Sequence, residues 1–495
     1  MVGGRIDILR SSLIFITAVA KGCKGKDLPS WIDYACNHRR KAQFKEILRL
    51  KISPIKIFNM PTKNEFEQIT DFDVLVVGAG IAGEESALKL ADMGFRVLLI
   101  EKEPSIGGKM ILLSKVFPTL DCAACITTPK VSETARHPNI TLFTLTEAES
   151  IFRESDGLFA VTLKRHPRYI NEKSCTGCQE CERACPAIVE DQFQFNLVAR
   201  KAIYIPFNIA NPRVALIDIE NCMLCGLCEQ KCPSNCIDFS QKEETVRVRV
   251  KSVILATGFN LFDPTLFPRY GFGLYKNVIT SMQMERQLAP TRPFNNILRP
   301  SDAKTPDKIA YIFCTGSRDN TCGNGICSQV CCMYSTKQAQ LLMGALPMAD
   351  ITMYYINIRA FGKGYNEFYL QAREMGAHYV KGKVATVKEK ENGNLIVRYE
   401  DLSTGKVTET EHDLVVLSVG LLANPAITEV FKNEKLELDP SNFIKQPDLM
   451  LSPATTSIEG VFVAGTATAP MDIPDTIMSA GAAAAETSGY LKLQS

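Results

Sequence analysis

No excess of either charge marks this chain: over 495 residues the formal net charge is +2. That balance removes the electrostatic case for nucleic acid or a membrane surface as a partner. Long apolar runs are missing too. Leu13 to Ala20 (LIFITAVA) is far shorter than the roughly 20 residues that cross a bilayer, so no stable membrane span is expected. A third absence lies deeper in the chain. Ile309 to Phe313 reads as a buried strand, yet no Gly-rich turn follows it. Five cysteines stand there instead, within Cys314 to Cys332.

Cysteine is what the chain has in quantity: 18 residues, mostly in tight x2 and x3 spacings. In a long chain that pattern points to metal ligation in a reducing compartment, hence the cytoplasm, and away from a disulfide framework. A hydrophobic content of 46% supports two or three domains with real cores. Residues 1–70 read differently. Arg5 and Arg10 ahead of Leu13 to Ala20 have the look of a signal-peptide h-region, but export suits oxygen-sensitive clusters badly. Met60 begins MPTKNEF, a natural lead-in to the first strand. The expectation is an extension outside the fold, mis-called or disordered; Cys23 and Cys36 within it have no spacing that makes a site.

Phe72 to Val77 is a strand-like run leading into Gly78-Ala79-Gly80-Ile81-Ala82-Gly83, then a helix pattern, then a second strand, Phe95 to Ile100, ending at Glu101 and Lys102. This is the full dinucleotide fingerprint. Gly78 makes the turn, Gly80 lets the backbone approach a pyrophosphate, and Gly83 lets the helix pack on the strand. Glu101 is placed to accept from a free ribose hydroxyl, which favours FAD or NAD. Later segments choose FAD. Val253 to Gly258 (VILATG), with Ala256, Thr257 and Gly258 at its turn, is typical of two-domain flavoprotein reductases. Asp413 to Gly420 repeats the device, and Thr456 to Thr466 (TSIEGVFVAGT) resembles a C-terminal FAD motif with Gly465 at its turn. Thr466 stands there in place of the usual acid. Gly107 and Gly108 are further candidates to approach the flavin. The order of these segments resembles the thioredoxin-reductase-like fold.

Cys122-x2-Cys125 leaves three readings open: a redox disulfide facing flavin, half of a cluster site completed elsewhere, or two buried structural cysteines. Beyond it lies an insertion with Cys175-x2-Cys178-x2-Cys181-x3-Cys185-Pro186, and then Cys222-x2-Cys225-x2-Cys228-x3-Cys232-Pro233. This is the two-cluster ferredoxin run, twice, in which the fourth cysteine of each run crosses to the other cluster. One 4Fe–4S site is therefore expected on Cys175, Cys178, Cys181 and Cys232, the other on Cys222, Cys225, Cys228 and Cys185. Structural zinc does not call for a fourth cysteine before proline in each run. Cys236 is read as a small core residue. In the middle domain, Cys314, Cys327, Cys331 and Cys332 are candidate ligands of a third cluster, with structural zinc or a thiol pair as alternatives. Cys322 is the weaker candidate. Arg359 and Lys363 could bring positive charge to an anionic flavin, with Lys363 the candidate catalytic residue; two surface cations is the plainer reading.

Taken together, GAGIAG, EKEPSIGGKM, FPTLDCAACI, the doubled ferredoxin run, RKAIYIPF, CTGSRD with CSQVCCMYSTKQA, and RAFGKGYNEFY resemble the A-type, flavoprotein subunit of heterodisulfide reductase, from about Asp71 to the C-terminus. The resemblance implies FAD at the fingerprint, two 4Fe–4S clusters in the insert, and a non-standard 4Fe–4S cluster near the flavin on the Cys314, Cys327, Cys331, Cys332 pattern. It implies a flavin that splits electron pairs. A hydrogenase or formate dehydrogenase would be the donor. One electron would go towards ferredoxin, the other through subunits C and B to a disulfide, within a hetero-oligomer of methanogens and related anaerobes.

Two features depart from that family. No cysteine follows Cys332, so a C-terminal pair of clusters is expected to be missing, and residues 1–70 show no cluster pattern. Missing too are the cysteine-rich repeats of the disulfide-reducing subunit, so the disulfide is expected to be reduced on another chain. The expected fold is α/β: a Rossmann-type FAD domain (71–165, 246–300, 412–495), a degenerate nucleotide-binding domain (301–411), and a ferredoxin insert (166–245). The competing readings are a nicotinamide-dependent flavoprotein like the glutamate synthase small subunit, and a non-catalytic cluster-bearing scaffold.

Overall fold

The structure, a computed structural model, describes residues 71–494, so the expectations for residues 1–70 lie outside it. It begins with β1 (Asp71–Val77), α1 (Ile81–Asp92) and β2 (Val97–Ile100). β1 and β2 pair in parallel, Val74 on Val97, which requires the crossover helix between them. α2 (Ala123–Arg136) leads to β3 (Ile140–Phe143), parallel to β2. β4 (Thr146–Arg153) and β5 (Phe159–Arg165) pair antiparallel.

The insert follows. It contains α3 (Glu180–Ala184), the paired strands β6 (Ile188–Glu190) and β7 (Ala199–Lys201), the pair β8 (Ile203–Tyr204) and β9 (Leu216–Ile217), and α4 (Leu227–Lys231). The chain returns on β10 (Glu244–Leu255), whose first half pairs antiparallel with β5 while its second half pairs in parallel with β1.

After β11 (Asn260–Leu261) come β12 (Val278–Thr280), α5 (Ser281–Leu288), β13 (Lys308–Thr315) and α6 (Cys331–Ala345). Next are β14 (Asp350–Tyr355), α7 (Tyr365–Glu374), β15 (His378–Glu389), β16 (Leu395–Asp401) and β17 (Lys406–His412). The chain ends with β18 (Leu414–Val419), β19 (Leu421–Leu422), β20 (Val461–Val463) and α8 (Ile473–Leu493).

Two large sheets result. The first has the order β3-β2-β1-β10-β5-β4, with β20 against the end of β10; the second runs β12-β18-β13-β14-β15-β16-β17. The central strands β2 and β18 are buried along their whole length, as continuous apolar runs covered on both faces should be. This is the two-domain α/β architecture with an inserted ferredoxin-type unit. The boundaries differ from those expected. β12 and β18 pair with each other, Val278 on Val415, and β18 also pairs β13, so both belong to the middle sheet. The middle domain thus takes residues from either side of 301–411, because strand partners far apart in the chain leave no local mark. Among the described residues no helix is long and apolar enough to cross a membrane.

Candidate flavin and iron–sulfur sites

The fingerprint loop closes by backbone approach. A Cβ on Gly78 would lie 2.5 Å from the Ala256 carbonyl oxygen, and one on Gly108 would lie 2.7 Å from Gly80 Cα. Gly465 sits equally close to Ala82. Side chains would fill this cradle, so the glycines of three separate segments define one groove over the N-terminus of α1. Glu101 accepts from the Ala79 N–H at 2.8 Å and the Glu103 N–H at 3.0 Å, which ties the end of β2 to the loop. Burial raises its pKa. The Thr257 hydroxyl is buried with no partner, a polar atom left for a ligand. Thr466 is buried beside Gly465, and Lys102 is exposed. These residues fit an FAD. Sequence reasoning passed over Lys109, two residues from Gly107, whose ammonium lies 4.8 Å from the Phe259 ring centre.

In the insert, α3 and α4 are each a single turn or so, started by Gln179 and Gly226 in left-handed conformation. Each helix buries the third cysteine of its run, Cys181 or Cys228. Burial pushes the Cys181 thiol up to about 12, and the like charges that add to it are Cys175, Cys232 and Cys178. Cys228 is pushed up by burial, then by Cys222 and Cys225, while Cys225 feels Cys185. Cys232 of the second run thus lies within electrostatic reach of Cys181 of the first, and Cys185 of the first within reach of Cys225 of the second. Among the described residues no three His, Cys, Asp or Glu side chains converge on a single metal ion. A cubane does not ask for that, since each thiolate binds a different iron. Cys236 is buried and lies against Cys232, closer to the ligand set than a plain core residue would be.

The middle domain gathers its cysteines at the C-terminal end of β13. Cys314 has φ +55°, and Arg318 and Gln329 in the following loop are also left-handed. Such backbone in non-glycine residues clusters at functional sites. α6 starts directly on Cys331 and Cys332, with no side-chain cap at Val330, so its first-turn N–H groups and dipole favour thiolate. Burial pushes Cys332 up to about 12, with Arg359 N–H donating to it and Cys314 and Cys327 as like charges. Cys331 is raised by burial and then by Cys314, Cys332 and Cys327. Arg318 and Arg359 both bear on Cys314. These four thiols lie within electrostatic reach of one another, and Arg318 and Arg359 both act on Cys314 and Cys332.

Cys322 does not join it. Its thiol donates to the Asp319 carbonyl at 3.1 Å and packs with Phe262 and Phe267 on one side of the sheet, whereas Cys314 and Cys332 pack on the other with Tyr311 and Phe313. Lys363 is exposed on the turn before α7, and none of the described hydrogen bonds or ion pairs involves it. The cations that act on the cysteines are Arg318 and Arg359. Cys122 and Cys125 are joined as a disulfide at the N-terminus of α2, with Cα atoms 5.2 Å apart. The x2 spacing in a first helical turn brings them within bridging range.

No motif in the chain announces the role of α5. Arg286, fully buried, donates to Gln194 of the insert at 3.0 Å and to the Leu112 carbonyl at 2.9 Å, and lies over the Phe193 ring. Its neighbour Glu285 reaches Ser114 and Lys337. One helix thus touches the FAD domain, the insert and the helix that carries Cys331.

Comparison with known proteins gives three family matches. Residues 73–118 match the FAD dependent oxidoreductase family, residues 174–237 the 4Fe-4S dicluster domain, and residues 213–487 the pyridine nucleotide-disulphide oxidoreductase family. The A-type iron-sulfur subunit of the CoB–CoM heterodisulfide reductase of Methanocaldococcus jannaschii is 44% identical over 421 residues, covering 84% of this chain and 64% of its own length. The A-type subunit of the H2:CoB-CoM heterodisulfide,ferredoxin reductase of Methanothermobacter marburgensis is 39% identical, covering 92% of this chain and 69% of its own length. The chain thus spans about two-thirds of these relatives. Among solved structures, thioredoxin reductase of T. acidophilum aligns over 87% of this chain and 100% of its own, with 17% identity and a TM-score of 0.49.

Proposed function

The chain belongs to the pyridine nucleotide-disulphide oxidoreductases and, more narrowly, to the family of A-type subunits of heterodisulfide reductase, and from that premise we propose that it is the FAD and iron–sulfur electron-transfer subunit of a heterodisulfide-reductase-like complex. Gly78, Gly80, Gly83, Gly107, Gly108 and Gly465 form the backbone cradle for FAD. Glu101 orients the ribose, and Thr257 and Thr466 offer hydroxyls to it. Cys175, Cys178, Cys181 and Cys232 hold one 4Fe–4S cluster of the insert; Cys222, Cys225, Cys228 and Cys185 hold the other. Cys314, Cys327, Cys331 and Cys332 hold a third, with Arg318 and Arg359 offsetting its negative charge. When bound, FAD exchanges electron pairs and the clusters single electrons, and that mismatch is the reason to combine them.

The reading extends to partners. Subunits of the B and C type, a hydrogenase or formate dehydrogenase as donor, and ferredoxin would complete a hetero-oligomer in the cytoplasm. The flavin would be the point where electron pairs divide, and the disulfide would be reduced on a separate chain. The observation that carries the proposal is the four-cysteine neighbourhood at the head of α6, where a nicotinamide domain would have its Gly-rich loop. Anaerobic purification with iron, sulfide and FAD quantitation tests it: about twelve irons per chain are expected, four per cubane. Cys331→Ala should lose about a third of the iron and slow flavin reoxidation while both insert clusters stay. Unchanged iron in that variant would sink the third site.

A further inference from the structure

The two ferredoxin runs repeat at a constant offset, so Cys175, Cys178, Cys181 and Cys185 correspond to Cys222, Cys225, Cys228 and Cys232. α3 and α4 correspond as well, each beginning after a left-handed residue. Past the shared proline the two runs diverge, and at the fourth residue beyond the last cysteine Val189 stands in the first run and Cys236 in the second. The Cys236 sulfur is 3.3 Å from Cys232 Sγ, and the Cys236 N–H donates to the same sulfur at 3.4 Å. Cys175 is its other hydrogen-bonding thiol neighbour. The Cys236 carbonyl accepts from the Asn171 N–H at 2.7 Å, which holds this backbone whatever the side chain.

Resting on the ligand assignment above, we propose that Cys236 is not a ligand but a thiol donor to the ligand sulfurs, and that it sets the potential of the cluster on Cys175, Cys178, Cys181 and Cys232 above that of its twin. Reduction adds one electron to a cluster, and part of the added charge rests on the ligand sulfurs. A donor aimed at such a sulfur stabilises the more negative state and so raises the potential. No bond forms or breaks, and Cys236 keeps its proton. Val189 offers no donor at the matching place, so two clusters with the same ligand pattern are made unequal. An electron entering the insert therefore settles on the Cys236 side, which gives the pair a direction.

Redox titration of the anaerobically purified full chain, followed by electron paramagnetic resonance, tests this. Cys236→Ala should lower one of the two insert midpoints, leave the other in place and leave iron content unchanged. Cys236→Ser, which retains a donor, should keep most of the split, and Val189→Cys should narrow it by raising the second cluster. Two unmoved midpoints in Cys236→Ala overturn the proposal. So does loss of one cluster's iron there, which would make Cys236 a ligand. Cys232→Ala separates this from the underlying assignment: it should lose one cluster, and full iron in that variant would overturn the ligand set itself.

Discussion

Glu84, in the first turn of α1, has both carboxylate oxygens buried without a hydrogen-bond partner. Burial pushes its carboxyl up to about 8, against the pull of Lys130 and with the help of Glu101. At neutral pH the group is mostly protonated, which leaves the positive end of α1 to a phosphate. Between pH 4.5 and about 8 the folded chain holds a proton that the unfolded chain releases, so stability falls as pH rises through that window. Glu84→Gln keeps the shape and deletes the charge. It is expected to flatten that slope and to gain on the order of a few kcal/mol at pH 8 in denaturant unfolding. Parallel slopes for the two proteins would contradict the buried, strained carboxyl. Nothing in the fingerprint marks this residue, because the motif specifies glycine positions and not how deeply the residues beyond them are buried.

At the scale of elements, α5 and α6 hold the cysteine neighbourhood against the rest of the chain. Glu285 accepts from the Ser114 N–H at 2.8 Å, its hydroxyl at 2.6 Å and Gln338 at 2.6 Å. Lys337 pairs with Glu285 and also donates to the Lys115 carbonyl at 2.8 Å. Both members of the pair are at most 2% exposed, so an unmatched charge there has no water to turn to. Lys337→Met is expected to cost about 3–5 kcal/mol in equilibrium unfolding, and adding Glu285→Gln should recover much of it. A small loss from Lys337→Met alone would show that the pair is not what joins α6 to the flavin side. From the sequence, CCMYSTKQA is visible as a segment, but not that Glu285 joins its helix to Ser114.

Across the whole molecule, the middle sheet is a nucleotide-binding sheet without a nucleotide loop. The helix N-terminus that would face a pyrophosphate begins instead on two buried cysteines. NADH and NADPH are accordingly expected not to bleach the flavin of the isolated chain in a stopped-flow or anaerobic titration. Rapid bleaching would favour a nicotinamide-dependent flavoprotein. The same sheet draws strands from distant parts of the chain: β12 and β18 are far apart in sequence and neighbours in space.

The dicluster segment and the flavin-binding segment were legible in the chain alone, because both are local patterns: the doubled ferredoxin run repeats its cysteines at short steps, and the dinucleotide loop gathers its glycines at one turn. Everything that depends on contacts between distant segments had to wait for the folded molecule. Folding put Cys322 on the other face of the sheet, joined Cys122 to Cys125, set Arg359 and not Lys363 beside the thiols, and laid Cys236 against Cys232. Each of these turns on which strand or helix lies next to which, and packing of the whole chain settles that where no short stretch of residues can.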